Sequence, residues 1–170
     1  MAKVELEGFD AYEKQIKALQ RDATKVCKAV VYPGAGVLAE AVRAEVEALP
    51  TISDAQLRAN WRAGVAQQPS LSEGQKAGLA ASLGIASIRR EPDGMIRTSV
   101  GFEGYNGVKT KFNPNGQPNP EIARSLEKGT SYLKRDAFMA RAVRKAKASA
   151  IAAMSAEADA QIARIMNETT

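Results

Sequence analysis

The chain has 170 residues, a formal net charge of +5 and an isoelectric point near 9.4, and its length suits one domain with a single core. It contains no His and one Cys, which excludes His-based acid–base catalysis, His/Cys zinc sites and an internal disulfide. Because these residue types are missing, we predict a non-enzymatic protein without catalytic, cofactor-binding or metal-binding residues. Apolar runs fall far short of the roughly 18 residues of a membrane helix, so we also predict no membrane partner.

The N-terminal third of the sequence predicts a strand followed by helices. Residues 3–8 alternate apolar and charged side chains, which predicts a short edge strand. Asp10 then precedes Glu13 at the spacing of a capping box, and the helix that follows carries apolar residues spaced 4-3-4-3-4, namely Tyr12, Ile16, Leu19, Ala23, Val26 and Val30. Such a stripe is expected to be buried on another helix, in this chain or a neighbour. Pro33-Gly34 predicts an end or a kink, with a second helix over about 37–49.

The central part of the sequence predicts a β-hairpin preceded by an insertion. We interpret residues 51–77 as a loop insertion that contains one short helix, opened by a Ser53–Gln56 capping box and carrying Leu57 and Trp61 as core contacts. Residues 85–102 alternate apolar and polar side chains on either side of the turn at 91–94, which predicts an antiparallel hairpin.

The last third predicts a long loop and two helices. Residues 104–120 are rich in Gly, Pro and Asn, so we expect an extended loop that is disordered when free and orders against a neighbouring subunit. A short helix over 121–128 is expected to end at Gly129 in the left-handed helical conformation, and a long helix to run from about Asp136 to Met166, partly projecting or packing on a neighbour. The sequence therefore predicts one α+β domain over 1–170, with long N- and C-terminal amphipathic helices on a small antiparallel sheet formed by the N-terminal strand and the hairpin.

The positive charge is concentrated at the start of the last helix. Residues 134–147 carry one acid, Asp136, and six basic residues, and so hold a charge of +5, equal to that of the whole chain: Lys134, Arg135, Arg141, Arg144, Lys145 and Lys147. Three interpretations stay open: a solvated helix face, a surface that docks on a partner protein, and direct contact with phosphate. We take these six residues, together with Tyr105 and Phe112 of the long loop, as candidate interface residues.

Several short motifs resemble those of the tail-completion, or head–tail joining, family of long-tailed bacteriophages, also called minor tail components of the neck. Gly8-Phe9-Asp10 leads into the first helix, and Ala48-Leu49-Pro50 ends the second. The most informative segment is 122–130, IARSLEKGT, which is similar to a family motif with a hydrophobic residue, Ala, and then Glu-x-Gly-Thr.

The resemblance implies a structural role. Members of the family form rings, commonly six-fold, between the head-side connector or stopper and the tail terminator or tail tube. Genome DNA passes through the channel without sequence-specific binding, and no cofactor is involved. It implies assembly in the host cytoplasm and a final place in the virion. Two alternatives remain from the residues themselves: a small basic nucleic-acid-binding helical protein and a coiled-coil interaction module.

Overall fold

The chain folds into five helices and six short strands within the residues that the computed structural model describes, 9–64, 71–130 and 133–168, apart from the side chains of Asp54 and Trp61. In chain order the elements are α1 (Phe9–Ala48), β1 (Thr51–Ile52), α2 (Asp54–Ala63), β2 (Leu71–Ser72), α3 (Glu73–Ser82), β3 (Leu83–Ile85), β4 (Arg89–Arg90), β5 (Ile96–Arg97), β6 (Val100–Phe102), α4 (Asn119–Lys128) and α5 (Phe138–Glu168). The coarse prediction of an α+β fold with two long helices is confirmed. The predicted strand at 3–8 and the contact of Trp61 lie outside the described residues and side chains.

α1 is a single helix of 40 residues, so of the two outcomes predicted at Pro33-Gly34, an end or a kink, the end is wrong, and the second helix expected over 37–49 is part of α1. Proline in a helix removes one backbone hydrogen bond, which packing elsewhere must offset. Here α5 packs against α1 next to the proline: a Cβ built on Gly34 would lie 2.6 Å from Sδ of Met154 and 3.4 Å from the carbonyl oxygen of Ala150. The close approach of the two helices explains why this Pro-Gly pair does not end the helix.

α1 and α5 run antiparallel along their whole length. Near one end Gln15 Nε2 donates to the carbonyl oxygen of Met166 at 3.2 Å, and near the other end Glu45 meets Arg141. The main hydrophobic core of the described residues lies at the second end, around Val42, Val46, Leu79, Ile122 and Phe138. Before Gly34, α1 has one buried residue, Ala18. Residues 9–33 of α1 and 154–168 of α5 therefore form a two-helix arm that extends beyond the core.

The β-hairpin is present as predicted, in two strand pairs. β3 pairs with β6 and β4 with β5, both antiparallel, around a turn in which the Glu91 amide donates to the Met95 carbonyl oxygen at 2.8 Å. Ile85 pairs with Val100, and Arg89 pairs with Arg97. Between these two pairs the first side of the hairpin has three residues, 86–88, and the second side has two, 98–99, so the extra residue forms a β-bulge. Phe102 of β6 packs on Phe138, with ring centroids 6.0 Å apart, so the hairpin is attached to the core.

The segment 51–77 holds the short helix that we predicted and, in addition, regular elements that we did not predict. β1 and β2 form a parallel pair, and α2 lies between them with the expected bond from the Gln56 amide to Ser53 Oγ at 3.3 Å. A capping box between Ser72 and Gln75 opens α3. Two glycines within this helix lower its intrinsic propensity, and two-residue strands are too short to give a periodic pattern, which is why the sequence pattern did not reveal these elements.

The long loop has no helix or strand over 104–118, as predicted, but its base belongs to the folded body. The backbone amide of Asn106 donates to the Gln117 carbonyl oxygen at 2.9 Å, and the amide of Gln117 donates to Asn106 Oδ1 at 3.2 Å. Both side chains are buried, and Gln75 Nε2 of α3 donates to Gln117 Oε1 at 2.7 Å. The expectation that this loop is disordered until assembly is therefore wrong for its base, because buried amides hold it.

Candidate assembly interface

Two of the six predicted basic residues form a charge cluster with α1. Arg141 Nε lies 2.8 Å from one carboxylate oxygen of Glu45, and Lys145 Nζ lies 2.6 Å from the other, while Arg141 also pairs with Asp136 at 2.6 Å. The Glu45 side chain is only 8% exposed. Hydrogen bonds from Lys145 and Arg141 lower the pKa of Glu45 below its ordinary value, although its burial works in the opposite direction. These two cations therefore join α5 to α1 and are not a free basic face.

The other four predicted basic residues are exposed, and among the described residues the ion pairs of Glu45 are with Arg141 and Lys145 alone. Arg135 donates through Nε to the carbonyl oxygen of Glu127 at 3.1 Å and covers Gly129. Lys147 lines a groove beside α1, and Lys134 and Arg144 are exposed. Arg141 and Lys145 thus take part in the contact between α5 and α1, although the Lys145 side chain is 71% exposed, and the other four residues face solvent.

The segment that resembles the Glu-x-Gly-Thr motif builds the connection between α4 and α5. The Glu127 carboxylate accepts hydrogen bonds from the backbone amides of Met139 at 2.9 Å and Ala140 at 3.2 Å, in the first turn of α5. Thr130 Oγ1 accepts from the Leu133 amide at 2.9 Å. Glu127 therefore caps α5, where a carboxylate also interacts favourably with the helix dipole.

Gly129 ends α4 with positive φ, at +78°, but its ψ of 156° lies outside the left-handed helical region that we predicted. A Cβ at this position would lie 3.1 Å from Cβ of Arg135. Both the backbone angle and the close approach of the chain that leads to α5 favour glycine here.

Replacing Glu127 with Ala is expected to lower the free energy of unfolding by about 1 kcal/mol, because two amides at the start of α5 lose their acceptor. Urea unfolding followed by circular dichroism measures the change. Glu40→Ala is the matched control, since Glu40 forms an exposed ion pair with Arg43, and it should change stability by less than about 0.5 kcal/mol. Equal effects of the two substitutions would contradict the capping role.

An apolar groove of about 290 Å³ lies between the two long helices and the hairpin. Its lining is almost entirely hydrophobic and comes from three elements: Val31, Gly34, Ala35 and Leu38 of α1, Thr98 and Val100 of the hairpin region, and Val143, Ala146, Ala150, Ile151 and Met154 of α5. Ile151 is 54% exposed, and Val143 is also exposed. Exposed apolar surface of this kind marks interaction sites in soluble proteins.

The apolar stripe predicted on the first helix is only partly buried. Leu19, Val26 and Val30 are half-buried, but Tyr12 and Ile16 are exposed. Ile162 of α5 is also exposed. Seven of the ten large hydrophobic side chains that are exposed in the described residues lie on the two long helices: Phe9, Tyr12, Ile16, Tyr32, Val143, Ile151 and Ile162. The two-helix arm therefore leaves part of its own apolar surface unburied.

The two aromatic residues predicted in the long loop are both exposed. Tyr105 lies near the base of the loop, where it forms a bridge with Pro118, and Phe112 at the tip is 86% exposed. Phe112 lines a cavity of about 430 Å³ between the loop, α4 and the connection to α5, together with Ile122 and Leu133. An unburied phenylalanine beside an apolar cavity suits contact with another molecule.

A second basic surface was missed at the sequence level. Residues 14–28 of α1 carry one acid, Asp22, and five basic residues, which we call the α1 basic stripe: Lys14, Lys17, Arg21, Lys25 and Lys28. All five are exposed. Their 3-4-4-3 spacing is a visible signal of one helix face, but equal numbers of acidic and basic residues over the whole of α1 concealed it.

The described residues meet neither the requirements of a metal-ligand cluster nor those of a membrane-spanning helix. No group of three or more potential metal ligands of the His, Cys, Asp and Glu types comes together in them. None of the helices in the same part of the chain combines the length and the apolar character needed to cross a bilayer.

Comparison of the chain with protein-family models, with curated proteins and with solved structures finds no match.

Proposed function

We propose that this protein is a structural subunit of a bacteriophage neck, which assembles into a ring between the head-side connector or stopper and the tail terminator or tail tube. The observation that carries the proposal is the segment ending in Glu127-Lys128-Gly129-Thr130, which resembles the family motif. Its three characteristic residues all act at the junction of α4 and α5, because Glu127 caps α5, Gly129 has positive φ, and Thr130 holds the turn. Residues that fix how two helices join are the kind that a shared fold retains.

The surfaces support assembly rather than catalysis. A closed ring needs heterologous contacts, in which one patch of a subunit meets a different patch of its neighbour. The chain offers several distinct patches: the apolar groove, the apolar residues of the arm, and the Phe112 loop tip. In this proposal the loop tip and the exposed Lys134, Arg144 and Lys147 contact adjoining subunits or rings. We expect the hexameric form that the resemblance implies, with assembly in the host cytoplasm and a final place in the virion.

A small basic nucleic-acid-binding protein is the second candidate. The support that the cluster at 134–147 gives to it is weaker now that Arg141 and Lys145 bind Glu45. The α1 basic stripe provides new support for contact with nucleic acid. Because that stripe suits both candidates, affinity for DNA does not separate them, whereas ring formation does.

Electron microscopy of the purified chain, alone and mixed with connector and tail proteins from the same genome, tests the proposal. We expect ring-shaped particles, and we expect Ile151→Glu to abolish them, because a charge in the apolar groove opposes burial against a neighbour. Ile151 is exposed, so the variant should unfold at the same urea concentration as the wild-type protein.

Ala152→Glu is the matched control. It adds the same charge to the same helix about 100° away, at an exposed position outside the groove, and rings should persist. A wild-type protein that stays monomeric in every mixture would contradict the proposal, as would turnover of a substrate by the purified chain.

A further inference from the structure

The α1 basic stripe occupies one narrow face of the arm. At about 100° per residue its five cations fall within an arc of about 80°, and they follow one another over about 21 Å of helix axis. Lys14, Lys17 and Arg21 also line one shallow depression with Ala18 and Glu168, which shows that they face the same side of the helix pair. The stripe is therefore a continuous surface and not a scatter of solvated residues.

The stripe carries charge that the chain does not neutralise. Lys17 pairs with Glu13 at 2.5 Å and Arg21 with Asp22 at 2.9 Å, both as exposed pairs of little strength. Within the described residues, no ion pair is found for Lys14, Lys25 or Lys28. The stripe also places like charges three and four residues apart, a spacing that destabilises a helix. Local stability thus gives no reason for this arrangement.

The cations of the stripe favour the ionised form of the carboxylate that lies beside them, Asp22. A hydrogen bond from Arg21 lowers the pKa of Asp22, and Lys25 and Arg164 of α5 act in the same direction. Arg164 itself forms an exposed ion pair with Glu168 at 3.8 Å, so α5 brings one cation and one carboxylate to this side. The carboxylates beside the stripe, Glu13, Asp22 and Glu168, are fewer than its five cations, so they remove only part of its positive charge.

The opposite face of α1 is apolar. The stripe that begins with Tyr12 and Ile16 lies about 180° from the α1 basic stripe around the helix. α5 packs between the two faces, near Ala18. The arm thus has one side that suits a protein partner and another side that suits a polyanion.

We propose that the α1 basic stripe binds the phosphate backbone of duplex DNA without sequence preference. DNA presents an unbroken line of phosphates, one per 3.4 Å along each strand, which a straight row of cations follows along its length. An acidic protein surface would need an equally long run of carboxylates to match it. Residues 14–28 contain no aromatic side chain, so the stripe lacks the stacking contacts that single-stranded nucleic acid requires.

This inference goes beyond the proposed ring because it assigns a ligand to one face of the subunit. A monomer would bind DNA through this face as well as a ring would. If the ring of the previous section forms, the inference also places the α1 basic stripe, rather than the groove, on the side of the channel that faces DNA.

Fluorescence anisotropy of the full chain with a short linear duplex of arbitrary sequence tests the inference across a salt series. Five phosphate contacts predict a slope of log K against log salt near −4.5, so that affinity falls about 500-fold between about 50 and 200 mM salt. The double variant Lys14→Gln/Lys28→Gln should reduce the slope to about −2.7 and the loss to about 40-fold. Glutamine has nearly the helix propensity of lysine, so the arm should keep its fold.

Arg89→Gln/Arg90→Gln removes the same charge from exposed positions of β4 and is the matched control, whose slope should stay within error of wild type. An unchanged slope in the α1 variant, or equal reductions in both variants, overturns the inference. Equally tight binding of polyglutamate at matched charge also overturns it in favour of an acidic protein partner. Micrographs of the same samples score ring formation separately, so that rings without DNA binding contradict only the inference, and DNA binding without rings contradicts only the proposed ring.

Discussion

Gly78→Ala should lower the free energy of unfolding by about 3 kcal/mol, which corresponds to a fall of roughly 10 °C in Tm for a chain of this size. A Cβ at this position in α3 would lie 2.4 Å from Cβ of Asn106 and 2.8 Å from Oδ1 of Asn119, both of which are buried. Neither side chain can move freely. Asn106 accepts from the amides of Val108 and Gln117, and Asn119 donates to the Glu103 carbonyl oxygen. The added methyl group would therefore push the base of the long loop away from α3.

The same substitution at Gly36 is the control for the glycine prediction. Gly36 lies inside α1 and has no atom within 4 Å of a built Cβ, so alanine there should stabilise the protein by about 1 kcal/mol through helix propensity alone. Differential scanning calorimetry of the two variants compares them directly. If Gly78→Ala also raised Tm, the loop base would not be packed against α3, and the expectation of a disordered loop would regain its support.

Glu45→Gln should lower the free energy of unfolding by about 2 kcal/mol at neutral pH, because Arg141 and Lys145 lose a shared ionised partner. The cost stays moderate since Arg141 keeps Asp136, and Lys145 is exposed enough to be solvated. Urea unfolding at neutral pH measures the change. Glu47→Gln, two residues further along the same helix and exposed, should change stability by less than about 0.5 kcal/mol.

The effect of Glu45→Gln should depend on pH. The pKa of Glu45 is lower in the folded chain than its ordinary value of about 4.3, so its contribution is fully present above that value and is lost as pH falls through the folded pKa. The difference in stability between the wild-type protein and the variant should therefore shrink as the pH falls below the ordinary value of about 4.3. A difference that stayed constant down to about pH 2 would contradict the role of the ionised carboxylate.

The parts of the fold that could be predicted from the sequence are those with a local signal. The hairpin at 85–102 follows from alternation around a turn, α2 from the Ser53 cap, and the long C-terminal helix from its apolar spacing. α3 and the β1–β2 pair could not be predicted in this way. β1 and β2 are each two residues long and pair across about twenty positions, and α3 contains glycines whose use becomes clear only beside Asn106.

The sequence identified candidate interface residues by their type, but it did not show how they are arranged on the surface. The sequence located charge at 134–147, yet it did not show that Glu45, about a hundred residues away, binds two of those cations. Tyr105 and Phe112 were correctly placed on a loop, and both are exposed. The apolar groove was not predicted because its lining comes from three elements that meet only after folding.

The amino-acid sequence by itself determined the absence of His chemistry and the order of α2, the hairpin, α4 and the long C-terminal helix, because each depends on residue type or on neighbours a few positions apart. Only the tertiary structure decided that Pro33 lies inside one continuous helix, that Glu127 caps α5, and which charges remain free at the surface. Each of these outcomes results from contacts between residues more than ten positions apart, whose free energy exceeds the local preferences that a sequence pattern records.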